Sequence, residues 1–271
     1  KPRSIFSWNE WKIRMRHQRN ASWPAHSSRA KPRTTDFTVT TPPVLLLPGT
    51  LCTRAVFHHQ VTALESAGIE VNAVEFRHES SIEEMAQTAA AQIPAGQSAA
   101  VAGFSMGGMV AIMLASLYPE KVNRLALLNS NVHAERPDRR DNRLKYLDMA
   151  GKTSLRQVLQ EGFLGNYLLH MDPRHCQLIL DMADQHGLDA FKAQTTALAN
   201  RPDSGPLLAR VRKHVLILGS RQDVLCPPAS QTAMRLLALD GQFVMLDDCG
   251  HFSLLEKPAE VSRALIDWYR K

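Results

Sequence analysis

The sequence contains no run of eighteen or more apolar residues, so a helical membrane span is not expected. Its four cysteines, Cys52, Cys176, Cys226 and Cys249, lack any CxxC spacing. The chain is also too long to depend on a disulfide framework, so they read as reduced thiols of a cytoplasmic protein. A glycine-rich phosphate loop, a zinc-ligand pair at helical spacing and nucleic-acid motifs are all missing, so no cofactor, metal or nucleic-acid partner is expected. His170, Asp172, His175 and Cys176 lie close together, but Pro173 interrupts them and they lack the His-x-x-x-His register of one helix face. They read as solvated side chains. No internal repeat or low-complexity tract occurs.

Acidic residues are scarce at the N-terminus. Residues 1–40 hold nine lysines and arginines against Glu10 and Asp36, while the whole chain carries a formal charge of +6. The basic character therefore belongs to this arm, and the remainder is close to neutral. Residues 1–41 read as a basic extension, poorly structured like many termini. Ile5, Phe6, Trp8, Trp11, Ile13 and Met15 leave open an amphipathic tether to an anionic surface. The arm lacks the apolar segment of a secretory leader. Its Arg and Ser content is weakly compatible with a transit peptide.

What the body does contain is a regular alternation. Short apolar runs at Val44–Leu47, Val71–Phe76, Ala99–Phe104, Arg124–Leu128, Val215–Leu218 and Phe243–Leu246 read as strands. Most are apolar at consecutive positions, as parallel strands covered on both faces are. Helical patterns at Val56–Ala67, Ile82–Ile93, Met106–Tyr118, Gln231–Leu239 and Ala259–Tyr269 fall between or after them. The expectation is an α/β fold with a mostly parallel sheet of six to eight strands and helices on both faces. One gap interrupts the rhythm. Between Asn129 and Val215 only helical patterns occur, at Asp138–Met149, Ser154–Phe163, Pro173–His186 and Leu188–Asn200. The expected layout is a core of residues 42–131 and 212–271 with a helical cap, or lid, at 132–211.

The stretch Gly103-Phe104-Ser105-Met106-Gly107 lies between a strand and a helix. A serine on so tight a turn needs small neighbours two residues away, and the helix start supplies free N–H donors beside it. Ser105 is the candidate nucleophile. A serine hydroxyl needs a base, and His251, in the loop after the last strand, is the candidate. The base needs an acid, and Asp223, just after the fifth strand, is the candidate, with Asp247 and Asp248 as rivals. The oxyanion donors are expected to be the backbone N–H groups of Met106 and Leu51, with Thr50 as the adjacent alternative to Leu51. Thr50, Cys52 and Phe104 are expected to touch substrate.

Together Leu46 to Cys52, Gly103 to Gly108, Gly219 to Asp223 and Cys249-Gly250-His251 resemble the α/β-hydrolase superfamily, closest to its bacterial soluble capped members. The resemblance spans roughly residues 42–271. It departs from many relatives in carrying Pro48-Gly49 where they carry His-Gly. It implies an eight-stranded sheet, with Phe37–Thr40 available for a preceding hairpin. It also implies hydrolysis of a small-molecule carboxylic ester with a largely apolar acyl group through an acyl-enzyme. Thioesters use the same parts. The basic residues Arg136, Arg139, Arg140, Arg143, Lys145, Lys152 and Arg156 raise the alternative of an acyl ester borne by an acidic carrier protein, although a solvated helix face laced with ion pairs is the plainer account of them. A non-catalytic ligand-binding protein on the same fold is the alternative from another class.

Overall fold

The computed structural model describes residues 42–271, so the expectations for the basic arm and for a hairpin at Phe37–Thr40 lie outside the described residues. A six-stranded, all-parallel sheet is formed by β1 (Val44–Leu47), β2 (Val71–Ala73), β3 (Ala99–Phe104), β4 (Val122–Leu128), β5 (His214–Ser220) and β6 (Gly241–Leu246). Its order is β2-β1-β3-β4-β5-β6. The register aligns Leu45, Val101, Leu125 and Val215 across four strands.

Because side chains alternate across a strand, the two faces can be separated. Leu45, Leu47, Val101, Leu125, Leu127, Val215 and Ile217 join one core cluster, which also holds residues of α2 (Ile82–Ala91) and α3 (Met106–Leu117). Alternate residues such as Leu46, Ala100, Ala126 and Leu216 are equally buried on the opposite face. That side carries α1 (His58–Ser66), and later the closing helix α11 (Pro258–Arg270). Burial on both faces explains why the strands read as continuous apolar runs. β2 ends at Ala73, three residues earlier than the apolar pattern suggests. It is an edge strand, and its apolar continuation, Val74 and Phe76, is buried as a loop.

The segment between β4 and β5 contains helices and loops but no strand: α4 (Pro137–Lys152), α5 (Leu155–Gly162), α6 (Leu164–Tyr167), α7 (Pro173–Ala199) and α8 (Gly205–Leu208). Ser154 starts α5 by accepting from the Gln157 N–H, and Asp172 starts α7 by accepting from the Arg174 N–H. The two helices anticipated at 173–186 and 188–200 run on as α7, with a break at Gly187, whose φ of 76° and ψ of −178° are not helical. After β5 come α9 (Pro228–Leu237), β6 and the short α10 (Ser253–Glu256). The C-terminal ends of β1, β3, β4, β5 and β6 face one rim of the sheet, where parallel α/β folds place their sites.

Candidate active site

Ser105 sits at the join of β3 and α3 with φ 53° and ψ −115°. A non-glycine residue held there costs about 1–3 kcal/mol, which the surroundings must offset. Two hydrogen bonds help. The Ser105 N–H donates to Leu128 O at 2.9 Å, and Ser130 Oγ donates to Ser105 O at 2.7 Å. The flanking glycines are required by contact. A Cβ on Gly103 would lie 2.1 Å from Gly107 O, and one on Gly107 would lie 2.0 Å from Leu47 O.

His251 lies in the loop between β6 and α10. Ser105 Oγ donates to His251 Nε2 at 2.9 Å, and His251 Nδ1 donates to Asp223 Oδ2 at 2.8 Å. His251 and Asp223 are each only 2% exposed, so the pair is shielded from bulk water. Burial opposes ionisation of Asp223. His251 beside it, the Cys226 N–H and Asn129 Nδ2 outweigh that, and hold the carboxyl below its usual range. The rival acids are engaged elsewhere: Asp247 with Arg221, and Asp248 with His170 and Lys257.

Around Asp223 the structure adds partners that sequence spacing did not suggest. Its Oδ1 accepts from the Leu225 and Cys226 N–H groups, both at 2.9 Å. Its Oδ2 also accepts from Asn129 Nδ2 at 3.0 Å. Asn129, fully buried and at φ 45°, in turn accepts from Ser253 Oγ through Oδ1. Glu256 accepts from the N–H groups of Leu169, His170 and Gly250, tying the helical insertion to the His251 loop. Asn129 had one signal, its place just past β4 at the rim of the sheet. Glu256 had only its position two residues before the closing helix.

The oxyanion loop requires a correction. The Leu51 N–H is not available to substrate, because it donates to Gln194 Oε1 at 2.7 Å. Leu51 does not line the cavity at Ser105, whereas Thr50 does. The N–H groups of Thr50 and Met106 have no acceptor among the described residues. The loop is close: a Cβ on Gly49 would lie 3.3 Å from Ser105 Cβ. Motif spacing cannot show which of two successive amides points inward. That depends on the turn, where Cys52 N–H donates to Gly49 O and Leu51 takes φ 55°. A positive φ at the third residue is the type II pattern, which turns the Leu51 N–H away.

The cavity measures about 340 Å³, within the range of small-molecule sites. Thr50, Cys52 and Phe104 line it, as do Met106, Met109, Leu198 and Phe252. Arg139, Arg143 and Arg201 also reach it, and no acidic residue among the described residues lines it. Cys52 and Cys226 are poor nucleophiles, since burial pushes both thiols up to about 12. Asp223, Cys226 and His251 offer three ligand atoms within 4.8 Å of one another. Two of the three are already committed to the chain from Asp223 to Ser105, and the third stays a protonated thiol, so the set suits proton transfer. The group at 170–176 is dispersed: His170 faces Asp248, and Asp172 holds Arg174 and the start of α7.

A sequence model of the alpha/beta hydrolase family matches residues 44–264. The chain belongs to that family. A pimeloyl-(acyl-carrier protein) methyl ester esterase of Aromatoleum aromaticum is 27% identical to this hydrolase over 194 residues, 64% of this chain and 74% of that protein. Among solved structures, an esterase from Thermogutta terrifontis matches with a TM-score of 0.77 at 24% identity, covering 85% of this chain and 90% of the other. An enol-lactonase from Burkholderia xenovorans matches with a TM-score of 0.74 at 19% identity, over 86% and 93%. At these identities the solved structures establish the hydrolase fold alone.

Proposed function

We propose that this chain is a serine esterase that hydrolyses carboxylic esters through an acyl-enzyme on Ser105. The observation that carries the reading is the unbroken chain from Asp223 through His251 to Ser105, with contacts of 2.8 and 2.9 Å, at the wall of a cavity. His251 takes the Ser105 proton as the oxygen attacks the ester carbonyl. Asp223 keeps the neutral ring protonated on Nδ1 and stabilises the imidazolium that forms. The N–H groups of Thr50 and Met106 receive the oxyanion. One such donor is worth about 10²- to 10³-fold in kcat. His251 then protonates the leaving alcohol, the acyl-enzyme forms, and water activated by His251 releases the acid. Residues 132–211 act as the cap that closes over the substrate.

The cavity's volume and its Phe, Met and Leu lining support a small or medium, largely apolar acyl group. Buried, unoxidised Cys52, Cys226 and Cys249 support a cytoplasmic setting. A second reading has its own observation: Arg139, Arg143 and Arg201 line the cavity with no acid beside them among the described residues, and Glu135, which pairs with the last two, offsets only one of the three charges. An acyl ester or thioester borne by an acidic carrier protein would meet that charge, and the esterase relative named above fits it. Of the other basic residues anticipated on the cap, Arg136, Lys152 and Arg156 are paired with Asp138, Asp148, and Asp181 and Asp184. Arg140 and Lys145 have no carboxylate partner among the described residues.

One panel of p-nitrophenyl esters, acyl thioesters and a carrier-linked methyl ester tests both readings. Turnover of the simple esters supports the first, and preference for the carrier-linked ester supports the second. Binding without turnover of any member would support a non-catalytic protein and contradict both. Among the described residues no helix is long and apolar enough to cross a membrane.

A further inference from the structure

Gln194 occupies a place that nothing in the triad explains. It lies on α7 of the helical insertion and is 1% exposed. Its Oε1 accepts from the Leu51 N–H at 2.7 Å, and its Nε2 donates to Phe76 O at 2.7 Å. Each amide atom has one partner of the opposite kind, so the orientation of the group is determined by chemistry. One side chain thus joins α7 to the loops that follow β1 and β2.

Its partner is the strained residue of the oxyanion loop. Leu51 has φ 55°, a region that β-carbon sterics disfavour for leucine, in a turn position usually given to glycine. Left alone, such a turn relaxes by swinging the Thr50–Leu51 peptide and returning Leu51 to negative φ. Gln194 blocks that motion because its oxygen holds the Leu51 N–H. The preceding amide, that of Thr50, has no acceptor among the described residues, and Thr50 lines the cavity at Ser105. We propose that Gln194 is a positioning residue: by clamping the Leu51 N–H to α7 and Phe76, it fixes the Gly49–Cys52 turn and so keeps the Thr50 N–H aimed at the oxygen of the carbonyl whose carbon Ser105 attacks. The inference rests on the serine-esterase reading.

The clamp touches neither substrate nor His251, and neither of its partners titrates. Gln194→Met keeps the length of the side chain and removes both hydrogen bonds. Its kcat on p-nitrophenyl butyrate should fall by about 10- to 100-fold, below the full loss of one oxyanion donor. KM should stay within about twofold, and the midpoint of the pH–kcat profile should not move. The inhibition constant of butylboronic acid, whose tetrahedral adduct on Ser105 uses the oxyanion donors, should rise in step with the fall in kcat. Gln194→Glu keeps an acceptor for the Leu51 N–H, so its kcat should lie between those of the wild type and the methionine variant. If the methionine variant does not fold, Gln194→Asn carries the test, because the shorter amide cannot reach both loops. A purely structural Gln194 would lower the melting temperature and leave kcat and boronate affinity unchanged, which overturns the proposal. A loss of kcat with unchanged boronate affinity overturns it too. A wild type without esterase activity overturns the esterase reading and this inference with it.

Discussion

Replacing Asp223 by asparagine changes one atom and should remove nearly all turnover. The hydrogen bonds dictate how the new amide must sit. The Oδ1 position faces two backbone N–H donors, those of Leu225 and Cys226 at 2.9 Å, so it must keep the amide oxygen. The NH₂ group is then forced into the Oδ2 position, opposite His251 Nδ1. An amide N–H there donates to Nδ1, which moves the ring proton to Nε2, and Nε2 can no longer accept the proton of Ser105. It also meets Asn129 Nδ2, a second donor, so the local network loses a bond. In serine proteases the equivalent loss of the correct tautomer costs about 10⁴ in kcat. At 1.36 kcal/mol per decade, that is about 5.5 kcal/mol of transition-state stabilisation. The assay is kcat on p-nitrophenyl butyrate, with circular dichroism to show that the fold persists. A folded Asp223→Asn variant that keeps more than about a tenth of wild-type kcat would refute the assignment of the acid.

Two further predictions concern stability. Glu135 and Arg201 form a buried pair, with side chains 1% and 5% exposed, and Arg143 joins them. Glu135→Gln leaves Arg201 without its counter-charge and should cost about 3–5 kcal/mol in urea unfolding at pH 7. Burial opposes ionisation of Glu135, but Arg143 and Arg201 prevail and hold its carboxyl below the usual value. The stabilisation is therefore present above the unfolded carboxylate value of about 4.3 and is lost as pH falls through the lower folded value. The gap between wild type and variant should narrow below that range, and a gap independent of pH would count against the pair. Gly107→Ala would put a Cβ 2.0 Å from the Leu47 carbonyl, a backbone atom with nowhere to go, so the variant should fail to fold or unfold at much lower denaturant. Gly151→Ala, with nothing within 4 Å, is its control and should be as stable as the wild type.

The strands and the elbow were legible in the sequence because both are local patterns. A strand buried on two faces must be apolar at consecutive positions, and Gly103 and Gly107 must be glycine because backbone lies about 2 Å from where their Cβ would be. His251 and Asp223 could be chosen because topology delivers the loops after β6 and β5 to one rim. The Leu51 amide, expected to point into the site, is held by Gln194 instead, since the spacing of Gly49, Thr50 and Leu51 says nothing about the sign of φ at Leu51. Gln194 was beyond reach. It is separated from Leu51 by 143 residues, and nothing about a glutamine in a helical pattern marks the turn it holds. Asn129 and Glu256 act in the same way, through backbone and side-chain partners that only the packed structure brings near.

The central claim is that Ser105 is the nucleophile of this hydrolase, and the most direct test is the mass of its covalent adduct. Native protein is treated with a fluorophosphonate, digested, and its peptides are weighed. The account predicts stoichiometric modification of the peptide that contains Ser105, abolished in Ser105→Ala and greatly slowed in His251→Ala. Modification at another residue, or none under conditions that label a reference esterase in the same tube, would contradict it.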